Sequence, residues 1–166
     1  MKLLIVGAGG HGCVVKETAQ AQKDYQFESI AFVDDQSTNA VGTTADLKDL
    51  RKEYDAAIVA IGSNHVRASL QKKLKELGYH IPTLIHPTAY VSPSAKIHEG
   101  TVVEPMAIIN ANVCIGEGCI ISVGSIIDHD AVIEEYCHVN AGAIVMSMAH
   151  LDAFEKIDAG RVLANH

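Results

Sequence analysis

The stretch that decides the fold is "INANVCIGEGCIISVGSIIDHDAVI", residues 109–133, in which an aliphatic residue returns at every sixth position. The same register continues in both directions without a slip. The aliphatic positions are Ile85, Val91, Ile97, Val103, Ile109, Ile115, Ile121, Ile127, Ile133, Val139, Val145, Leu151, Ile157 and Leu163. Four residues after most of them stands a small residue such as Ala, Ser or Cys. This period predicts a hexapeptide β-helix, in which three short strands make one coil and the coils stack.

Short turn pairs separate the predicted strands. They include Pro87–Thr88, Pro93–Ser94, Glu117–Gly118 and Ala141–Gly142. Pro in the first place and Gly or Asn in the second are typical of type II turns, whose second central residue needs a positive φ. Residues 85–166 would form roughly four and a half coils of such a helix.

The residues just before the inward aliphatic positions should point outward, yet most of them are apolar. They are Val102, Ile108, Cys114, Ile120, Ile126, Val132 and Ile144. Apolar columns on the outside of a prism need a partner. Side-by-side packing of three prisms in a homotrimer is the simplest arrangement, although the sequence leaves other assemblies open.

Residues 1–84 have a different organisation, in which predicted strands alternate with predicted helices. The strands are "KLLIV", "ESIAFVDD" and "DAAIVAIG", and the helices are "HGCVVKETAQAQ", "TADLKDLRKEY" and "SNHVRASLQKKLKELGY". In the third helix Val66, Leu70, Leu74 and Leu77 share one face, and Gly78 is placed to cap the end. This alternation predicts a Rossmann-like α/β domain over 1–84 with a parallel sheet, followed by the β-helix domain over 85–166.

Composition narrows the possible partners. The chain has 48% hydrophobic residues and a formal net charge of -7, which argues against nucleic acid or an anionic membrane surface as the main partner. We find no apolar run near the roughly 20 residues of a membrane span, and the N-terminal apolar stretch is too short for a signal peptide. A cytoplasmic location is expected. The four cysteines lack C-x-x-C spacing, so neither a zinc site nor a disulfide framework is indicated.

The loop "GAGGHG", residues 7–12, has the G-x-G-x-x-G pattern and lies between a predicted strand and a predicted helix. Backbone N–H groups and the helix dipole bind phosphate at such a position. Asp34 and Asp35 end the next strand, and residues 60–64 end the third at the same edge of the sheet, where they would meet ribose or sugar hydroxyls. However, residues 1–84 supply only one mononucleotide-binding half. A nucleoside diphosphate ligand therefore fits better than NAD.

One predicted corner of the β-helix carries His129 and Asp130. Histidine is readily poised as a base near neutral pH, and an adjacent carboxylate can orient the ring and raise its basicity. A second histidine, His138, falls in an outward column that is otherwise apolar. The alternatives are a solvated surface histidine and a partly exposed interface histidine. His98, His150 and His166 are expected at the surface without a role.

These segments together resemble a bacterial family, the sialic acid O-acyltransferase and UDP-4-amino-sugar N-acetyltransferase group (NeuD/PglD-like). The matching segments are "GAGGHG", "FVDD", "AIGSN", "IHPTAYVSPSA" and "IIDHDAVIEEYCHVNAGA", in the family's order. The resemblance implies a left-handed β-helix in a trimer that binds acetyl-CoA between neighbouring prisms, and an α/β domain that binds the UDP-sugar. No metal is implied.

The resemblance also implies roles for individual residues. His129 would be the general base and Asp130 the acid that raises its basicity. Contacts to the sugar nucleotide are implied for Gly9, Gly10, His11, Asp34, Asp35 and Gly62. Contacts to acetyl-CoA are implied for His138 and more weakly for Ala159, and a backbone N–H near Gly142 is expected to stabilise the oxyanion.

The leading hypothesis is therefore acetyl-CoA-dependent N-acetylation of a UDP-4-amino-sugar in bacterial glycan biosynthesis. O-acetylation of sialic acid or a related sugar hydroxyl is the nearest alternative, because a histidine base serves both nucleophiles. A third is a sugar-nucleotide-binding scaffold of weak activity, because Glu155 and Arg161 replace the small inward residue and family members usually continue for further coils. An NAD-dependent enzyme is the fourth.

Overall fold

The computed structural model describes residues 1–22 and 27–164, so His166 lies outside the described residues. The chain forms two compact units, Met1–Pro82 and Thr83–His166. Among the described residues, no helix has both the length and the apolar character to cross a membrane.

The first unit is built on a three-stranded parallel sheet in the order β2-β1-β3. Its strands are β1 (Lys2–Val6), β2 (Ser29–Val33) and β3 (Ala56–Val59). The central strand β1 is buried along Leu3–Val6 because it has a neighbour on both edges and side chains packed on both faces. The parallel sheet predicted from the alternating pattern is confirmed.

Three helices connect and flank these strands: α1 (Gly10–Ala21), α2 (Leu47–Leu50) and α3 (Asn64–Glu76). The predicted second helix shrinks to the single turn of α2. On the predicted apolar face of α3, Leu74 is buried, whereas Val66 is 45% exposed. Gly78 has φ +79° after α3, which confirms the left-handed cap.

Two glycines of the 7–12 loop are required by packing rather than by a ligand. A Cβ on Gly12 would lie 2.1 Å from the carbonyl oxygen of Gly7, so only glycine allows α1 to approach the loop so closely. Gly7 itself has φ +113°. These positions therefore shape the turn between β1 and α1.

The second unit is the predicted β-helix, a left-handed parallel β-helix. Its two-residue strands are β4 (Leu84–Ile85), β5 (Tyr90–Val91), β6 (Lys96–Ile97), β7 (Val102–Val103), β8 (Ile108–Ile109), β9 (Cys114–Ile115), β10 (Ile120–Ile121), β11 (Ile126–Ile127), β12 (Val132–Ile133), β13 (His138–Val139), β14 (Ile144–Val145), β15 (His150–Leu151), β16 (Lys156–Ile157) and β17 (Val162–Leu163). They form three parallel sheets. The first face contains β4, β7, β10, β13 and β16, the second β5, β8, β11, β14 and β17, and the third β6, β9, β12 and β15.

The inward column is the core of this unit. Ile109, Ile121, Ile127 and Val139 are fully buried, as the six-residue period predicts. Strand N–H groups donate to carbonyls one coil away, as from Ser122 N to Val139 O at 2.9 Å. Each coil therefore satisfies its backbone polar groups through its neighbours.

From Gly100 onward, the corners adopt the left-handed backbone at their second residue, whether or not it is glycine. Asn112, Asp130 and Met148 have φ of 61°, 59° and 60°, one directly above another. Their N–H groups bond to neighbouring coils, as from Asp130 N to Ala111 O at 2.9 Å and from Met148 N to His129 O at 3.0 Å. The prediction of the same turn at Pro87–Thr88 and Pro93–Ser94 is wrong. Neither second residue has positive φ, and their hydroxyls join side-chain hydrogen bonds instead.

The outward apolar columns differ in exposure. Val102 and Ile120, on the first face, are each 1% exposed in the single chain, so the expectation that they need a partner subunit is not met. On the second face Tyr90, Ile108 and Val162 are exposed by 54%, 38% and 57%. Exposed apolar side chains that a partner could cover are therefore present on the second face, but not at Val102 and Ile120 on the first.

The inward column predicts where the β-helix is most sensitive to truncation. Ile121→Ala should lower the free energy of unfolding by about 2–5 kcal/mol, because it removes a fully buried side chain and leaves a cavity. Val123→Ala is the control, since Val123 is a corner residue that is 46% exposed. Urea denaturation checks both, and equal losses would contradict this assignment of the core.

Candidate active site

The predicted catalytic pair lies at an exposed corner between β11 and β12. His129 Nδ1 and Asp130 Oδ2 are 2.8 Å apart, and the two side chains are 50% and 48% exposed. The Asp130 carboxylate is itself held one coil below, since Asn112 Nδ2 donates to Asp130 Oδ1 at 3.0 Å. The carboxylate orients the ring through Nδ1, so that Nε2 is the nitrogen left for a substrate proton.

Two carboxylates raise the pKa of His129. The main cause is the hydrogen bond with Asp130, and the charges of Asp128 and Asp130 add to it, while partial desolvation acts in the opposite direction. The pKa of Asp130 is lowered by the same hydrogen bond and by Asn112. Asp128 is fixed beside the ring because its Oδ1 accepts the His129 N–H at 2.8 Å. The corner thus holds an imidazole of raised pKa that is hydrogen-bonded to the Asp130 carboxylate and influenced by the charge of Asp128.

The predicted acetyl-CoA contacts are spread over other parts of the β-helix. His138 projects from β13 on the first face and is half-buried, with Nε2 3.1 Å from Ser122 Oγ. Gly142 and Ala159 occupy corners, and Ala159 is exposed. The expected oxyanion role of the Gly142 N–H is not supported, because that group donates to Val123 O at 3.0 Å.

The first unit has a cleft of about 450 Å³ where the strands of its sheet end. Its lining residues are Val6, Gly7, Val33, Asp34, Asp35, Gln36, Thr44, Ile61, Val66, Ser69 and Leu70. The exposure of Val66 is explained by its place in this wall. Apolar side chains beside carboxylate, amide and hydroxyl groups suit the flat ring and the hydroxyls of a nucleoside.

Asp34 joins the two loops at this edge. Its Oδ2 accepts the Ala8 N–H at 2.8 Å, and its Oδ1 accepts the N–H groups of Gln36 and Ser37 at 2.8 and 2.9 Å. These three bonds lower the pKa of the carboxyl, with the Ala8 bond the largest cause. Asp34 therefore holds the glycine loop in place, in addition to lining the cleft.

Asp35 makes a similar connection on the outer side of the cleft. Its Oδ1 accepts the Thr44 N–H at 2.7 Å, and its Oδ2 accepts the Thr44 hydroxyl at 3.0 Å. Both predicted ligand-binding carboxylates thus order the loops that surround the cleft.

The other predicted contacts of this unit are Gly9, Gly10, His11 and Gly62, which do not line the cleft. Gly9 is the N-cap of α1, and Gly10 and His11 begin the helix, where the first N–H groups have no acceptor within a helix. A Cβ on Gly9, Gly10 or Gly62 would meet nothing within 4 Å. Glycine is therefore not required for folding at these three positions, and open space for a ligand remains beside them.

Arg67 fixes the loop that follows β3, a role that the sequence did not reveal. The side chain is 1% exposed, and its guanidinium donates to Ile61 O at 2.9 Å and to Asn64 Oδ1 at 2.7 Å. In the sequence, Arg67 stands between the apolar positions of α3, where a basic residue is expected to be exposed. The pattern therefore did not indicate that Arg67 is buried. Because the five N–H donors of the guanidinium are buried, the Arg67 side chain is a rigid support for the loop at Gly62.

Known proteins are similar to this chain in sequence and in fold. The family described as the PglD N-terminal domain matches residues 2–74. A curated relative, the UDP-N-acetylbacillosamine N-acetyltransferase of Bacillus subtilis (strain 168), is 36% identical over 105 residues, which cover 58% of this chain and 48% of the relative. The match thus spans about half the length of that relative.

Solved structures match nearly the whole chain, and two of them are informative for function. The acetyltransferase domain of PglB from Neisseria gonorrhoeae FA1090, in complex with acetyl coenzyme A, has a TM-score of 0.92 and 34% identity, covering 97% of this chain and 80% of its own. The chain belongs to the PglD/NeuD-like family of β-helix sugar acetyltransferases. A mutant of GDP-perosamine N-acetyl transferase from Caulobacter crescentus, in complex with CoA and GDP-perosamine, has a TM-score of 0.87 and 30% identity, covering 99% of this chain and 89% of its own.

A substitution at Asp34 tests whether its hydrogen bonds stabilise the loops around the cleft. Asp34→Asn should lower the melting temperature at pH 7, because an amide cannot accept all three N–H bonds. The pKa of Asp34 is lower in the folded chain than its ordinary 3.8, so its contribution is complete above that value. As the pH falls through the lowered pKa, the contribution is lost and the two proteins should converge.

Melting curves between pH 7 and pH 3 check this expectation. Asp49→Asn is the control, because the Asp49 carboxylate is 82% exposed and pairs with Lys52 on the surface, where ion pairs contribute little. A pH-independent difference between Asp34→Asn and the parent would contradict the assignment.

Proposed function

We propose that this protein transfers an acetyl group from acetyl-CoA to the amino group of a nucleotide-activated amino sugar. The observation that carries the proposal is the His129–Asp130 pair, oriented at 2.8 Å on an exposed corner of the β-helix. The names of the relatives support the reaction class, since the Bacillus subtilis protein is a UDP-sugar N-acetyltransferase and the Caulobacter crescentus structure holds CoA and GDP-perosamine. A UDP-4-amino-sugar is the first candidate substrate.

The reaction follows from the chemistry of the corner. The amine nitrogen of the sugar attacks the thioester carbonyl carbon, and the electron pair of the C=O bond moves to oxygen. His129 Nε2 takes a proton from the attacking nitrogen, and Asp130 stabilises the imidazolium that forms. The oxygen then returns its electron pair to re-form the C=O bond of the amide as the C–S bond breaks, and the thiolate of CoA receives the proton from His129. No step requires a metal.

In this proposal each unit binds one of the two substrates. Residues 1–84 bind the sugar nucleotide, with phosphate at Gly9, Gly10 and His11 and the nucleoside beside Asp34, Asp35 and Gly62. Residues 85–166 bind acetyl-CoA, with His138, Gly142 and Ala159 as contacts. The backbone at the start of α1 suits a diphosphate because its N–H groups and dipole attract negative charge.

We also propose a homotrimer in the cytoplasm. Tyr90, Ile108, Ile126, Ile144 and Val162 form an apolar ladder on the second face, and its ends are 54% and 57% exposed. A ladder of this length is covered most simply by another copy of the chain. A cytoplasmic location suits an enzyme that uses acetyl-CoA and a nucleotide sugar.

The proton transfer can be tested at the corner. His129→Ala should lower kcat by about 10²–10⁴-fold, the usual contribution of a general base. Asp130→Asn should lower kcat less, and it should shift the rise of kcat/KM with pH toward lower pH. The reason is that the hydrogen bond and the charge of Asp130 both raise the pKa of His129.

The assay follows release of the CoA thiol from acetyl-CoA with a UDP-4-amino-sugar, across pH 5 to 9. Sedimentation of each variant should match that of the parent, because the side chains lie on an exposed corner. Near-parental kcat in His129→Ala, or an unshifted pH profile in Asp130→Asn, would refute the assignment.

Sugar-nucleotide binding can be tested separately at the glycine loop. Gly10→Ala should fold normally, since a Cβ there meets nothing within 4 Å, but the methyl group would occupy the space proposed for the diphosphate. Binding of the sugar nucleotide should weaken by about tenfold or more, or roughly 1.4 kcal/mol. Calorimetry measures the affinity. As a contrast, Gly12→Ala should lower the melting temperature of the protein. Unchanged affinity of Gly10→Ala for the sugar nucleotide would contradict the proposed site.

A further inference from the structure

The third face of the β-helix carries a cluster of metal-ligand side chains that the proposed reaction does not use. It consists of Glu134, His150 and Asp152, called here the third-face cluster. One atom from each residue lies within 4.8 Å of the others. From the sequence His150 was expected at the surface without a role, since Glu134 lies 16 positions before it in the chain.

Coil stacking brings the cluster together. β12 pairs with β15 so that Val132 lies beside His150 and Ile133 beside Leu151. The Glu134 N–H donates to Leu151 O at 3.0 Å, which fixes the backbone at the next step of the ladder. Because Leu151 is buried in the core, the residues on either side of it, His150 and Asp152, both point outward. The frame that carries all three side chains is therefore rigid.

The distances fit a shared cation as well as a hydrogen-bonded ion pair. His150 Nε2 lies 2.9 Å from Glu134 Oε1 and 3.5 Å from Asp152 Oδ1. A single ring nitrogen carries one proton at most, so it can donate to one carboxylate and not to both. A tetrahedral divalent metal with bonds of about 2.0–2.2 Å would place neighbouring ligand atoms roughly 3.3–3.6 Å apart, which matches the His150–Asp152 distance and requires a small widening of the His150–Glu134 distance.

One ligand is already held in position by a group outside the cluster. Glu134 Oε2 accepts the Ala153 N–H at 3.0 Å, which leaves Oε1 directed at His150. Support of this kind orients metal ligands in proteins.

We propose that Glu134, His150 and Asp152 bind a divalent transition-metal cation of the Zn²⁺ type, which links two successive coils of the β-helix. One imidazole and two carboxylates favour such an ion over Mg²⁺, which prefers oxygen ligands alone. Water would complete the coordination, because the side chains are 51%, 40% and 78% exposed for His150, Glu134 and Asp152. The site has a structural role and is independent of the proposed acetyl transfer.

The experiment uses the full chain without a histidine tag, treated with a chelator and then freed of it. Calorimetry with Zn²⁺ should give one site per chain, and Zn²⁺ should raise the melting temperature while Mg²⁺ at the same concentration should not. Co²⁺ should produce the visible absorption bands of a nitrogen- and oxygen-ligated ion.

Three variants assign the site. His150→Ala and Asp152→Asn should each weaken Zn²⁺ binding by at least about tenfold, since loss of a ligand costs no less than loss of its supporting contact. His98→Ala is the matched control, because His98 is another exposed histidine of the β-helix that lies outside the cluster. Circular dichroism without metal confirms that each variant is folded. Absence of Zn²⁺ binding to the parent, or parental affinity in His150→Ala and Asp152→Asn, would overturn the proposal.

Discussion

A two-residue strand can satisfy its backbone polar groups only against the coils on either side of it. The N–H of Ser122 reaches the carbonyl of Val139, and the same bond recurs along each face. This pairing keeps equivalent residues of successive coils in register, so the inward column must be apolar along its whole length. The same register places polar corner residues directly above one another. Asn112 can therefore hold Asp130, and Asp130 can orient His129.

The first unit depends on a comparable constraint at the edge of its sheet. Loops that bind a ligand have few neighbours of their own, so they must be held by side chains from the elements beside them. Asp34 ties the glycine loop to the loop after β2, and Arg67 ties the loop after β3 to α3. The G-x-G-x-x-G pattern then has two distinct parts. Gly7 and Gly12 serve packing, whereas Gly9 and Gly10 have open space beside them, where we propose that a diphosphate binds.

Much of this architecture is predictable because it rests on periodic patterns. The six-residue period identified the β-helix and its core, and the alternation of strands and helices identified the parallel sheet. The adjacent pair His129–Asp130 was recognisable because both residues share one corner. Side-chain partners distant in sequence were not recognisable. The buried Arg67, the three bonds of Asp34 and the third-face cluster all depend on which residues the fold brings together, and the burial of Val102 and Ile120 is not visible in the period either.

The central claim is that this family member acetylates an amine on a nucleotide-linked sugar. The most direct measurement incubates the protein with acetyl-CoA and a panel of UDP- and GDP-linked amino sugars, CMP-sialic acid and the matching hydroxyl sugars, and follows both the CoA thiol and the product mass. The account predicts that an amino-sugar nucleotide gains one acetyl group for each CoA released, at the amine. Release of CoA only with a hydroxyl substrate, or with none of the panel, would contradict it.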